Sequence, residues 1–255
     1  MEVLRMIQTI KEIYVPFGKM THMPYVVCDE KTYNDQIWVF TGEDVAGNFV
    51  KRREEERIPL TVEKYENQQF LLFYSGLHAL GVNEVVFVNG DKMAKVPLKM
   101  IVTPPDYSQI PEVKRPAVNP QLQLSGIYFM QEMRRPVPKE EKKNLLELEE
   151  EMAVNVTRAA YMVAVIADGK REDGKPNLQV PFIKNQQGDI FQPAFTDPNE
   201  FNKFNRKNQF TAIKTDLDGL EKMLVKDAKG IVINPQGFNL VVLREQISQL
   251  KKRFA

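Results

Sequence analysis

The feature that most limits how this chain can fold is a repetition within it. The stretch MPYVVCDEKTYNDQIWVFTGEDVAGNF at 23–49 lies against VPFIKNQQGDIFQPAFTDPNEFNKF at 180–204 with a two-residue gap. Pro24 meets Pro181, Tyr25 meets Phe182, Phe40 meets Phe195, Thr41 meets Thr196 and Phe49 meets Phe204. Further on, LHALGVNEVVFVNG at 77–90 lies against LEKMLVKDAKGIVINPQG at 220–237. Each copy reads strand, turn, strand, short helix, strand, helix, strand. Apolar residues at matched places ask for the same burial twice. The expected fold class is α/β (α+β), with two tandem related modules whose mixed sheets are flanked by helices.

Length and charge agree with that plan. The 255 residues suit two domains of roughly 100–120 residues. A net charge of +1 provides no concentrated positive field, so nucleic-acid binding is not expected, though a local basic patch stays open. Cys28 is the only cysteine, which excludes an intrachain disulfide and a thiolate zinc cluster. That suits a reducing compartment. The start MEVLRMIQTIKEIYVPF shows no basic leader followed by an apolar run, so no secretory signal is expected. The longest apolar run, YMVAVIA at 161–167, falls far short of the ~20 residues of a membrane span. A cytoplasmic protein without membrane contact is the expectation.

Along the chain, residues 5–15 carry isoleucines at a spacing of three, which favours a helix, and a β-branched content that favours a strand; the matching YMVAVIA tips the reading to strand. KRREEER at 51–57 is a mixed charge run that reads as a solvated face or loop. Residues 65–81 read as a helix ended by Gly81. The expected domains are 1–102, a proline-rich connector over 103–138, and 139–255. The connector holds seven of the 16 prolines, yet LQLSGIYFM at 122–130 has the apolar bulk to dock on a domain or add a strand. Residues 139–160 form the clearest helix, with Leu145, Leu148, Met152 and Val156 on one face. DGKREDGKPN at 168–177 reads as a hairpin loop and 178–186 as its return strand. A last amphipathic helix carries Leu243, Ile247 and Leu250.

The helix into YMVAVIA, the segment FQPAFTDPNEFNKF, the leucine helix at 217–225 and GIVINPQGFNLVVLREQI together resemble the N-terminal domain of the SseB family, the enhanced serine sensitivity proteins of bacteria. The resemblance covers about residues 140–250. The first module is similar but divergent: it has VFTGED where the second has AFTDPN, and VFVNGD where the second has IVINPQG. The resemblance implies a small α/β fold and no established enzymatic activity.

No motif points to a reaction. His22 and His78 have no nucleophile and acid placed beside them, and each reads as structural or exposed. Cys28 reads as a small buried hydrophobe. No phosphate-binding glycine loop occurs, and neither a cofactor nor a metal site is expected, although a carboxylate magnesium site stays open. The most informative segment is FTDPNEF at 195–201. Thr196 or Asp197 can cap a helix begun by Pro198, and Glu200 stands where a capping box places it. The functional reading makes Thr196, Asp197, Asn199, Glu200 and Phe201 a binding surface. Phe191, Phe195, Phe201, Phe204 and Phe210 read as core, with a groove lining as the other reading. The function expected is a non-enzymatic binding or regulatory module for another protein. Two other readings stand beside it: a small-molecule sensor with a pocket between modules, and a hydrolase or transferase using Asp197 and Glu200.

Overall fold

A computed structural model describes residues 2–170, 174 and 176–254. They fall into two units, Met1–Ile110 with Gln123–Leu148, and Pro111–Leu122 with Glu149–Ala255. Each is a mixed α/β structure.

In the first unit α1 (Glu2–Thr9) leads into β1 (Glu12–Gly18). The single strand expected over 5–15 is therefore two elements: the three-residue spacing governs up to Thr9, and the β-branched run takes over beyond it. There follow β2 (Val26–Cys28), β3 (Asp35–Phe40), α2 (Glu43–Glu55), β4 (Leu60–Glu66), α3 (Phe70–Leu80), β5 (Glu84–Asn89), β6 (Lys92–Pro97) and α4 (Leu98–Ile101). The sheet order is β4-β1-β3-β5-β6, with β2 also on β3. Only β3 and β5 run parallel; the other pairs are antiparallel. Ile13, Val15, Ile37, Val39, Val85 and Val86 are all fully buried, which is why β1, β3 and β5 read as near-continuous apolar runs. α2 sets Ala46 and Phe49 against Tyr14, Tyr25, Phe40 and Leu60. The charges of 51–55 lie in its last turns, so that run is mainly a solvated helix face. Gly81 ends α3 at φ +85°, a left-handed conformation that suits glycine. Cys28 is exposed rather than buried, because β2 is too short to carry it into the core.

The segment 122–130 lies in a helix, α5 (Pro120–Met133), with Ile127, Phe129 and Met130 buried. Gln131 imitates a neighbouring strand: its Oε1 accepts the Val26 amide at 3.2 Å and its Nε2 donates to the Val26 carbonyl at 3.1 Å. The Tyr128 hydroxyl donates to Asp35 Oδ1 at 2.7 Å. The outer edge of β2 is thereby covered instead of left as a template for pairing.

The second unit runs α6 (Leu145–Arg158), β7 (Tyr161–Lys170), β8 (Pro176–Gln179), β9 (Ile183–Lys184), β10 (Ile190–Ala194), α7 (Pro198–Phe204), β11 (Thr211–Thr215), α8 (Leu217–Met223), β12 (Ala228–Ile233), β13 (Leu240–Leu243) and α9 (Arg244–Phe254). α6 buries Met152, Ala153 and Val156. The return strand expected over 178–186 is two strands, because Pro181 between them has no amide to donate. The hairpin loop expected over 168–177 falls largely outside the described residues. The sheets are ordered β13-β12-β10-β9 and β11-β7-β8, and a bridge between Met162 and Phe195 connects them.

Most strand pairings in the two units correspond, although β7 with β8 has no matching strand pair in the first unit. β1 with β4 matches β7 with β11, and β2 with β3 matches β9 with β10. Parallel β3 and β5 match parallel β10 and β12; antiparallel β5 and β6 match β12 and β13. Phe40 opposite Tyr14 takes the place of Phe195 opposite Met162. A helix precedes the first strand in both units, α1 with 8 residues and α6 with 14.

Gln131→Ala removes partners from two backbone groups of a residue that is 1% exposed. Urea unfolding is expected to show a loss of about 1–3 kcal/mol, with faster hydrogen exchange at the Val26 amide. Unchanged exchange at Val26 would contradict the role given to Gln131.

Candidate functional site

The FTDPNEF turn lies at the carboxyl ends of parallel β10 and β12. Two chain reversals meet there. After β12, Asn234 takes φ +50°, a left-handed conformation that asparagine tolerates better than most residues. Its amide donates to the Ala194 carbonyl at 2.9 Å, and its carbonyl accepts the amides of Gly237 and Asn239. Its side chain turns to Thr196. Asn234 Oδ1 accepts the Thr196 amide at 3.0 Å, and Asn234 Nδ2 donates to Thr196 Oγ1 at 2.8 Å. Thr196 Oγ1 donates to Asp197 Oδ2 at 2.8 Å. The other Asp197 oxygen accepts the amides of Asn199 at 2.8 Å and Glu200 at 3.1 Å. Asp197 is thus the cap of α7, and Pro198 fills a first helical position that needs no donor.

A third strand of chain is tied to the turn. Asn119 Nδ2 lies 2.6 Å from the Thr196 carbonyl and 2.5 Å from the Ala160 carbonyl, and Asn119 Oδ1 accepts the Ala160 amide at 3.2 Å. Thr196, Asp197 and Asn234 are 0%, 1% and 0% exposed. At such burial an unmade hydrogen bond costs more than a made one gains, so the network has to be complete.

Glu200 breaks that pattern. It does not reach back to the Asp197 amide, as a capping box requires; Oε1 pairs with Lys203, and Oε2 is buried with no partner. Gly237 lies against this carboxylate, and a Cβ there would sit 2.6 Å from Oε2. Burial pushes the Glu200 carboxyl above its ordinary value, the nearby Asp197 charge pushes the same way, and Lys203 offsets part of the rise.

Of the five residues read as a binding surface, Asn199 is exposed, while Thr196, Asp197, Glu200 and Phe201 are buried. The helix-start amides are engaged by Asp197 and are not open to an outside anion. Phe195 and Phe201 form a core cluster with Ala164, and Phe204 and Phe210 pack on it; Phe191 is buried as well. His22 is exposed in a left-handed turn, and His78 sits in α3. Among the described residues no three His, Cys, Asp or Glu side chains are grouped to hold a metal ion. Asn234 and Asn119 were not singled out by sequence reasoning. The Asn-Pro pair of NPQG signals a turn, but nothing local signals that the Asn234 side chain reaches 38 residues back.

The first unit repeats the turn in reduced form. Thr41 Oγ1 donates to Asn89 Oδ1 at 2.9 Å, a threonine–asparagine contact that pairs the same residue types as Thr196 and Asn234 with the direction reversed. Gly42 stands where Asp197 would, and α2 has no side-chain cap.

Residues 140–249, less than half of the chain, match the family model of the SseB protein N-terminal domain. No curated protein matches the chain. Among solved structures, Tic22 from Plasmodium falciparum aligns at 10% identity over 98% of this chain and 96% of that one, with a TM-score of 0.23. Anabaena Tic22 (protein transport) aligns at 11% identity over 85% and 84%, with a TM-score of 0.22. At those scores neither alignment bears on fold or function.

Two outcomes are expected here. Asp197→Ala lowers stability by about 0.5–2 kcal/mol in thermal or urea unfolding, through loss of the cap. Glu200 has a folded-state pKa above its ordinary 4.5. Its cost is therefore absent well below that value, grows as pH rises from it, and is complete above the folded pKa. Glu200→Gln should be more stable than the parent at pH 7–8, with the gap closing toward pH 4. A gap that widens on acidification would contradict the buried-carboxylate account.

Proposed function

We propose that the chain is a non-enzymatic binding or regulatory module for another protein, built from two SseB-like modules that arose by duplication and working in the cytoplasm. The observation that carries this reading is the pair Leu71 and Leu72 at the start of α3, which are 72% and 77% exposed. Single exposed apolar residues are ordinary, but two adjacent leucines on a helix whose other face is buried offer a contact patch. The matching strand pairings of the two units support the duplication. Among the described residues no helix is long and apolar enough to cross a membrane.

Around Thr196, Asn199 is the side chain offered to a partner, and Thr196, Asp197, Glu200 and Phe201 shape the turn from beneath. The hydrolase or transferase reading has less support. Asp197 and Glu200 are 1% and 2% exposed, and a substrate reaching Asp197 has to open the cap first.

The test places a photocrosslinking residue at position 72 and, as a control, at exposed position 55. A discrete crosslinked protein is expected at 72 and not at 55. The variant Leu71→Ser with Leu72→Ser should lose that partner while its stability stays within about 0.5 kcal/mol of the parent, as surface changes do. Identical products at both positions, or a partner kept by the double variant, would reject the reading.

A further inference from the structure

The first unit holds a cleft of about 430 Å³, within the size range of small-ligand pockets. It opens beside the amino ends of β3 and β5, lined by Asn34, His78, Asn83, Glu84, Pro97 and Lys99 among others. We propose that this cleft binds a small organic cation with N–H donors, an ammonium or guanidinium ion, held by the Glu84 carboxylate.

Glu84 is 7% exposed. Its Oε1 accepts Gln36 Nε2 at 2.5 Å and its Oε2 accepts Asn34 Nδ2 at 3.2 Å. Both donors are neutral amides. Among the described residues Glu84 has no ion pair; Lys95, bound to Asp29, attracts it only from a longer distance. Buried carboxylates elsewhere in proteins are matched by a cation, and amide donors orient such a charge without cancelling it. Each Glu84 oxygen keeps a further lone pair for an incoming donor.

The other polar groups of the cleft include both acceptors and donors. His78 Nε2 lies 3.3 Å from the Val102 carbonyl. A carbonyl only accepts, so Nε2 carries the proton. Asn34 spends its Nδ2 on Glu84 and keeps its Oδ1 as an acceptor. Against that acceptor stand the Asn83 amide and Lys99. Lys99 is exposed, and solvent and salt screen its charge over roughly 8–10 Å, whereas the Glu84 charge lies below the surface and is screened far less. The buried charge therefore sets the sign of the ligand.

The test is an amide NMR titration of the full chain with methylguanidinium chloride and with propylammonium chloride. Sodium propionate serves as the anionic control, at constant ionic strength. Both cations are expected to shift the amides of residues 34, 78, 83 and 84 saturably, and propionate is not. Glu84→Gln should weaken cation binding by about tenfold or more, and Lys99→Glu, a change at an exposed residue, should strengthen it by about two- to fivefold. The proposal is overturned if neither cation gives a saturable shift, if propionate binds at these residues, or if Glu84→Gln binds like the parent. Should Glu84→Gln fail to fold, Lys99→Glu decides: an affinity unchanged or lowered overturns the assignment.

Discussion

The second unit depends most on the paired hydrogen bonds between the Asn234 side chain and Thr196. Asn234 can make them because it adopts a left-handed backbone at the end of β12, which turns its amide group back toward β10. The Thr196 amide and hydroxyl are both fully buried and would otherwise lack these partners, at a cost of about 1–3 kcal/mol for each group left unmade. Once Thr196 is held, its hydroxyl orients Asp197, Asp197 caps α7, and α7 brings Phe201 onto Phe195. A backbone conformation thus leads to a helix position through two short side chains.

That arrangement has a functional consequence. The polar atoms that make the turn conspicuous are spent on the fold, so the turn offers little chemistry to a ligand. Glu200 is the exception, a carboxylate kept buried beside Gly237 with one oxygen unmatched. The first unit distributes its polarity differently. Its turn has a glycine instead of a cap, while its buried carboxylate, Glu84, lies at the opposite ends of the parallel strands and lines a cleft. Related strand pairings therefore support a sealed turn in one unit and a buried charge in the wall of a cleft in the other.

Much of this was legible in the sequence for identifiable reasons. The parallel strands announce themselves as apolar runs because both faces are covered. Thr196, Asp197 and Pro198 reveal a helix start because capping is local. Long-range contacts left no such trace: Asn234 meets Thr196 across 38 residues, Asn119 meets Thr196 across 77, and Gln131 meets Val26 across 105. Residues 5–15 misled because helical spacing and strand composition overlap where one element hands over to the next. Cys28 misled because alternation along a strand says nothing about how soon that strand ends. Glu84 looked like any acidic residue, since its hydrogen bonds come from Gln36 in β3 and Asn34 in the loop before it.

The claim on which the account rests is that Asn234 and Thr196 act as one unit. A double-mutant cycle with Asn234→Ala, Thr196→Val and the pair, followed by urea unfolding, measures it directly. The account predicts a coupling energy of about 1–3 kcal/mol, with the double variant losing much less than the sum of the single ones. A coupling below about 0.3 kcal/mol, the range found for independent sites, would contradict it.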